Sequence, residues 1–144
     1  MADASDRQAP AAVNVLLDTD ICIAILNRDD RVRPWLEHNA PSKLRMSAIT
    51  LAELRFGIAK STQARRVAAN LRVLLTRVRS VPFDDDASGR YGELRALLER
   101  RGKSIGPLDM LIASHALSLG WVLATHNTAE FRRVPGLRVE DWLA

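Results

Sequence analysis

The sequence predicts an α/β fold, a three-layer α/β/α sandwich around a short parallel sheet of four or five strands. Two observations predict it. Short runs rich in Leu and Val, at 13–17 and 121–124, are bounded by polar residues, as suits strands buried on both faces. Longer segments with apolar residues at helical spacing alternate with them, and such alternation implies right-handed βαβ crossovers with helices on both sides of the sheet.

Taken in order, residues 1–12 mix Asp, Ser, Gln, Pro and Ala ahead of any apolar run. They are expected to form a flexible tail and do not have the build of a secretory signal. Residues 13–144 are expected to form a single domain. The first strand stops on Asp18 and Asp20, and Ile21, Ala24 and Ile25 then repeat at helical spacing, so 18–20 is a strand-to-helix corner. A second helix is expected over 31–38 with Trp35 as a packing residue, closed by Ala40, Pro41 and Ser42. A weak strand at 44–46 leads into a second corner at 47–53, with Gly57 near the end of its helix. From 63 to 79, Val67, Leu71, Leu74 and Val78 mark one face of a long helix, while Arg65, Arg66, Arg72 and Arg77 lie mostly off it. A strand end at 81–83 precedes Asp84, Asp85 and Asp86 and a helix with Tyr91, Leu94 and Leu98 inward, stopped by Gly102. Pro107 opens a further helix that closes at Gly120. The strand at 121–124 ends on Thr125, His126 and Asn127, followed by a short helix, a last strand near 137–139, and Trp142 docking the carboxyl terminus.

Composition narrows the function classes. The formal charge is +4 with a pI near 10.0, and Lys43, Lys60 and Lys103 are the only lysines, so Arg supplies most of the positive charge. Arg forks pair with phosphate as well as carboxylate, which tilts the partners toward nucleic acid. Cys22 is the only cysteine, which excludes an intrachain disulfide and suits a reducing, cytoplasmic location. No apolar run approaches the roughly 20 residues that cross a bilayer, so no membrane role is expected.

Four polar residues stand at corners where helices begin: Asp18, Glu53, Asp109 and Asn127. Each has a structural reading. Thr50 and Glu53 have capping-box spacing, Asp109 behind Pro107 suits the positive end of a helix dipole, Asn127 is a candidate cap with Glu130 completing a box, and Asp18 is a candidate cap of the first helix. Together they read differently. Asp18, Glu53 and Asn127 each follow a strand and so reach one edge of a parallel sheet, and Asp109 joins them if its helix begins at that edge. Carboxylates brought within a few ångströms repel by about 1 to 4 kcal/mol per pair at water-like to surface-like dielectric, so such a cluster calls for a cation. Oxygen ligands without a Cys or His cluster select a hard metal, Mg²⁺ or Mn²⁺. That combination suits phosphodiester hydrolysis.

The segments 16–23, 47–57 around Glu53, 105–113 around Asp109 and 125–131 around Asn127 resemble the successive motifs of PIN-domain ribonucleases, and within them the VapC toxins of type II toxin–antitoxin pairs. The closing 134–142 is similar to that group as well, so the likeness spans 13–144. The resemblance implies that Asp18 and Asp109 are direct metal ligands, with Glu53 direct or through water. Asn127 stands where many members carry a fourth acid and is expected to orient water. Asp20 stands where similar toxins commonly have Asn and adds negative charge to the pocket. The implied activity is endoribonuclease cleavage of structured RNA, often transfer RNA. The implied partners are a small cognate antitoxin and a second copy of the chain in a homodimer.

Other readings compete. Asp18 and Asp20 also resemble the opening motif of haloacid-dehalogenase-like phosphatases, which further need a positioned Lys and a late acidic pair; the late strand ends on Thr125, His126 and Asn127 instead. A phosphoacceptor receiver domain would want a Lys near a late strand, and none follows Lys103. Asp84 to Asp86 are read as a helix cap and first-turn acids. A PIN-like module that processes RNA, or that binds RNA or a partner without cutting, is the remaining alternative. Among the histidines, His115 is read as structural, and His126, beside the site but with no evident partner, as a weak candidate for a phosphate contact. The basic 63–79 helix presents either a solvated face or one that meets a polyanion.

Overall fold

The computed structural model describes residues 14–144, so the expected tail at 1–12 lies outside the described residues. In chain order the elements are β1 (Val15–Leu17), α1 (Thr19–Leu26), a 3-10 turn (Asp30–Val32), α2 (Arg33–His38), a second 3-10 turn (Pro41–Lys43), β2 (Leu44–Ser47), α3 (Ala48–Ala59), α4 (Ala64–Arg77), β3 (Arg79–Val81), α5 (Asp85–Arg100), α6 (Pro107–Leu119), β4 (Val122–Ala124), α7 (Thr128–Phe131) and β5 (Val139–Glu140).

The sheet has five strands in the order β3-β2-β1-β4-β5, and every pairing is parallel. Successive β1 side chains feed opposite faces. Val15 and Leu17 join a core with Ile21, Leu54, Leu71, Leu74 and Trp142, while Leu16 joins a second core with Leu94, Leu98, Ile112 and Phe131. Burial on both sides is why the strand reads as continuous apolar sequence rather than as an alternating pattern. Trp35 stacks on Trp142 with ring centroids 5.4 Å apart, which docks the carboxyl-terminal residues onto α2. Gly120 closes α6 at φ +70°, a left-handed position that a β-carbon disfavours.

Several boundaries move. The expected strand end at 81–83 is instead the end of a strand that begins at Arg79, and the last strand begins two residues later than expected, at Val139. Both are short edge strands whose ladder partners, invisible in local pattern, set their limits. Residues 31–38 divide into a 3-10 turn and α2, with Pro34 in the first turn of the helix. Among the described residues no helix is long and apolar enough to cross a membrane.

Candidate active site

β1 and β4 are neighbours although β2 and β3 extend the sheet one way and β5 the other, so the strand order reverses between them. The crevice of an open α/β sheet forms at that point, beyond the carboxyl ends of the strands. Leu17 pairs with Ala124, and the Asp18 amide donates to the Ala124 carbonyl at 2.9 Å, which brings Asp18 beside Thr125. The Thr125 hydroxyl then donates to Asp18 Oδ2 at 2.7 Å, and the Thr19 amide donates to Oδ1 at 2.8 Å. Asp18 therefore caps α1 and is 5% exposed, a buried carboxyl whose oxygens are both held. Burial, then the neighbouring Asp20 charge, pushes it up to about 6 against the lowering effect of the two hydrogen bonds.

Glu53 reaches the same place from α3. The capping-box reading of Thr50 and Glu53 is overturned, because α3 begins earlier than that spacing assumes. Ser47 is the cap and accepts from the Ile49 amide at 3.0 Å. Thr50 and Glu53 lie inside the helix and face α1, where the Thr19 hydroxyl donates to Glu53 Oε1 at 2.7 Å and lies 3.1 Å from Thr50 Oγ1. Ser47 is itself tied to His115, whose Nδ1 is 2.8 Å from its hydroxyl, so His115 is a buried structural residue as expected.

Asp109 lies in the first turn of α6, two residues beyond Pro107. Burial, then a hydrogen bond to Glu130, then the charges of Asp18, Glu130 and Glu53 push its carboxyl up to about 7. Glu130 moves the other way, held down first by the Gly106 amide, which donates to its Oε1 at 2.7 Å. Asp109 is thus held up and Glu130 held down by their closeness to each other. The box reading of Asn127 is also overturned. Asn127 occupies the cap position of α7 without a side-chain cap bond, and its amide nitrogen donates to Glu130 Oε2 at 2.5 Å and to Asp109 Oδ2 at 3.4 Å.

The structure brings Asp18, Glu53, Asp109 and Asn127 to one edge, and adds residues that sequence reasoning missed. Glu130 is the main one. Its signal was present, an acid in the first turn of a helix that follows a central strand, but it was absorbed into the cap reading. Thr19 and Thr125 orient Glu53 and Asp18; Thr19 carries no signal beyond lying between two acids, and Thr125 none beyond ending a central strand. Asp20 accepts from the His126 amide at 3.0 Å through Oδ2, while its Oδ1 is buried without a partner. His126 gains the partner that the sequence did not reveal, with Nδ1 3.0 Å from Asp141 Oδ1.

The donor set fits a hard divalent cation. Its polar atoms are oxygens, two of its carboxyls are held in a place that favours neutralisation by a proton or a cation, and one buried carboxylate oxygen has no partner. Among the described residues no three His, Cys, Asp or Glu side chains close into a ready-made cage, and Asp109 leans on Glu130 instead.

A parallel α/β fold with an oxygen-lined crevice at its switch point is the build of a hard-cation enzyme site. The PIN domain family model matches residues 15–137, and the chain belongs to that family. Within it, the chain is 41% identical over 128 residues to the tRNA(fMet)-specific endonuclease VapC of Shigella flexneri, covering 88% of this chain and 96% of that one. It is also similar to the DNA-bound VapBC crystal structure from Salmonella typhimurium, with a TM-score of 0.85 and 39% identity over 90% of this chain and 98% of that one. A VapBC-5 structure from Mycobacterium tuberculosis, described as a member of the VapBC family of toxin-antitoxin systems, has a TM-score of 0.67 and 27% identity over 89% and 96%. Family membership removes the phosphatase and receiver readings.

Proposed function

We propose that this protein is a metal-dependent endoribonuclease that hydrolyses phosphodiester bonds in structured RNA, with transfer RNA as its substrate class, and that it is the toxin of a toxin–antitoxin pair. The convergence of Asp18, Glu53 and Asp109 on the switch-point crevice, from the start of α1, the interior of α3 and the first turn of α6, is the observation that carries this reading. Similarity to the tRNA(fMet)-specific endonuclease supports the substrate class. Similarity to VapBC structures supports a small cognate antitoxin as partner, and the family likeness supports a homodimer. Residues 13–144 are read as one nuclease domain acting in the cytoplasm.

Asp18 and Asp109 would hold Mg²⁺, with Mn²⁺ able to replace it, and Glu53 would bind directly or through water. When bound, the ion lowers the pKa of a water and offsets charge on the phosphate. The chain's own residues supply placement. Thr125 and Thr19 fix the carboxylates of Asp18 and Glu53, and Asn127 donates to Asp109 and to Glu130 beside it and is placed to orient water.

Purified protein incubated with total RNA tests the reading. Cutting in Mg²⁺ or Mn²⁺, lost with chelator and lost in a folded Asp18→Asn variant, is expected. Binding without cutting under every metal condition would leave the non-catalytic module instead. In cells, induced expression is expected to halt growth, and a small neighbouring gene to protect.

A further inference from the structure

The pocket is lined by acids, yet the substrate proposed for it is a polyanion, so the attraction must come from elsewhere on the chain. Residues 54–83 contain Arg55, Lys60, Arg65, Arg66, Arg72, Arg77 and Arg79 and no Asp or Glu, while the rest of the chain has fourteen Lys and Arg against seventeen acids. This segment of +7 therefore supplies more than the whole net charge of +4, and everything outside it is net −3. It comprises most of the α3–α4 hairpin and runs on through β3.

All seven cations are exposed, and none is in a salt bridge among the described residues, whereas Arg31, Arg33 and Arg95 elsewhere each pair with an acid. A face evolved only for solubility ordinarily intersperses both signs, and like charges gathered without acids repel one another until an anion arrives. Two exposed apolar side chains lie among them, Phe56 at 66% and Val73 at 70%, with the Lys60 ammonium 4.9 Å from the Phe56 ring centre. The surface is also continuous with the site. Glu53 and Arg66 line one groove between α1, α3 and α4, and Glu53 takes the Thr19 hydrogen bond inside the crevice.

We propose that the α3–α4 hairpin is the docking surface for the phosphate backbone of the RNA substrate, holding the strand by charge while the acidic crevice cuts, with Phe56 placed to stack on an unpaired base. Basic grooves punctuated by aromatic side chains bind single-stranded segments in this way. The surface deepens the ribonuclease reading and rests on it for the identity of the polyanion.

Binding and cutting separate in an Asp109→Asn background, with bulk transfer RNA as the probe. The triple variant Arg65→Gln, Arg66→Gln, Arg72→Gln is compared with a triple of equal charge loss outside the segment, Lys43→Gln, Arg90→Gln, Arg100→Gln. Each lost phosphate contact lowers the slope of log affinity against log salt by about 0.7 for a single strand, so the hairpin triple is expected to flatten it by about 2 and to weaken binding about tenfold or more at 0.15 M salt. The control triple is expected to retain both slope and affinity. In the cleavage-competent protein the hairpin triple is expected to raise KM and leave kcat within about twofold, since a uniform binding contact acts on KM. Equal losses in the two triples, or no loss in either, overturn the proposal. Retained RNA affinity with lost binding of an acidic protein partner overturns it in favour of a protein interface. Should the triple fail to fold, single Arg65→Gln and Arg72→Gln variants carry the same salt test. If wild-type protein cuts no RNA while the hairpin triple still loses transfer RNA binding, the function proposed above fails and the docking surface stands.

Discussion

Asp84, Asp85 and Asp86 form the densest run of acids in the chain, while Asp18 and Asp109 are ninety-one residues apart, and the two groups fare in opposite ways. The run stays in water at a helix start, where Asp84 Oδ1 accepts from the Ala87 amide at 3.0 Å and its two neighbours occupy the first turn. The distant pair meets at the sheet edge, where burial and neighbouring carboxylates push both carboxyls well above their ordinary range. Local density of acid marks solvation. Burial with unmet electrostatic demand marks chemistry.

That contrast can be broken by substitution. The largest effect is expected at the crevice pair, where Asp18→Asn or Asp109→Asn lowers RNA cleavage by about 10² to 10⁴, the range for losing a group that works directly on the reaction. Asp85→Asn and Asp86→Asn should leave the rate unchanged in the same gel assay; a comparable loss there would erase the distinction. Next comes the support of the pocket. Thr125→Val removes the hydroxyl that donates to Asp18, and a metal titration of cleavage should show affinity about 10- to 100-fold weaker, the usual effect of losing a group that orients a ligand.

pH sharpens the comparison in the metal-free protein. The folded-state values of about 6 for Asp18 and about 7 for Asp109 lie above the ordinary 3.8, so the native state binds protons more tightly than the unfolded chain does. Their stabilising contribution is full below the ordinary value and is lost as pH rises through 6 and 7. Thermal melts in chelator should therefore give a Tm lower at pH 8 than at pH 5, and Mg²⁺ should restore part of the loss at pH 8. A Tm that rises over that window in chelator would contradict the assignment. The smallest effect is at the exposed run, where Asp84→Ala should cost about 1 kcal/mol of stability through the lost cap, read from denaturant melts, with cleavage intact.

Much of this was legible in the sequence because α/β periodicity is local. Buried strands announce themselves as apolar runs, and the parallel arrangement then puts their carboxyl ends on one edge, which groups Asp18, Glu53 and Asn127 from the sequence alone and admits Asp109 once its helix begins there. The cap assignments failed because a cap depends on where a helix begins. Ser47 starts α3 ahead of Thr50, and that shift turns Thr50 and Glu53 toward Thr19. Glu130 was hidden by a similar ambiguity, since its partners Gly106 and Asp109 lie more than twenty residues away in sequence and no spacing rule connects them. The Asp141 partner of His126 is likewise supplied by the short pairing of β4 with β5.

That last contact also gives the molecule a load path. Asp141 accepts from the Leu143 amide at 2.9 Å and holds the His126 ring, the His126 amide is fastened to Asp20, and Trp142 stacks on Trp35 of α2. Residues 141–143 are thereby tied through His126 to the loop that carries Thr125 and Asn127. The far end of the chain is thus joined, bond by bond, to the groups that aim Asp18.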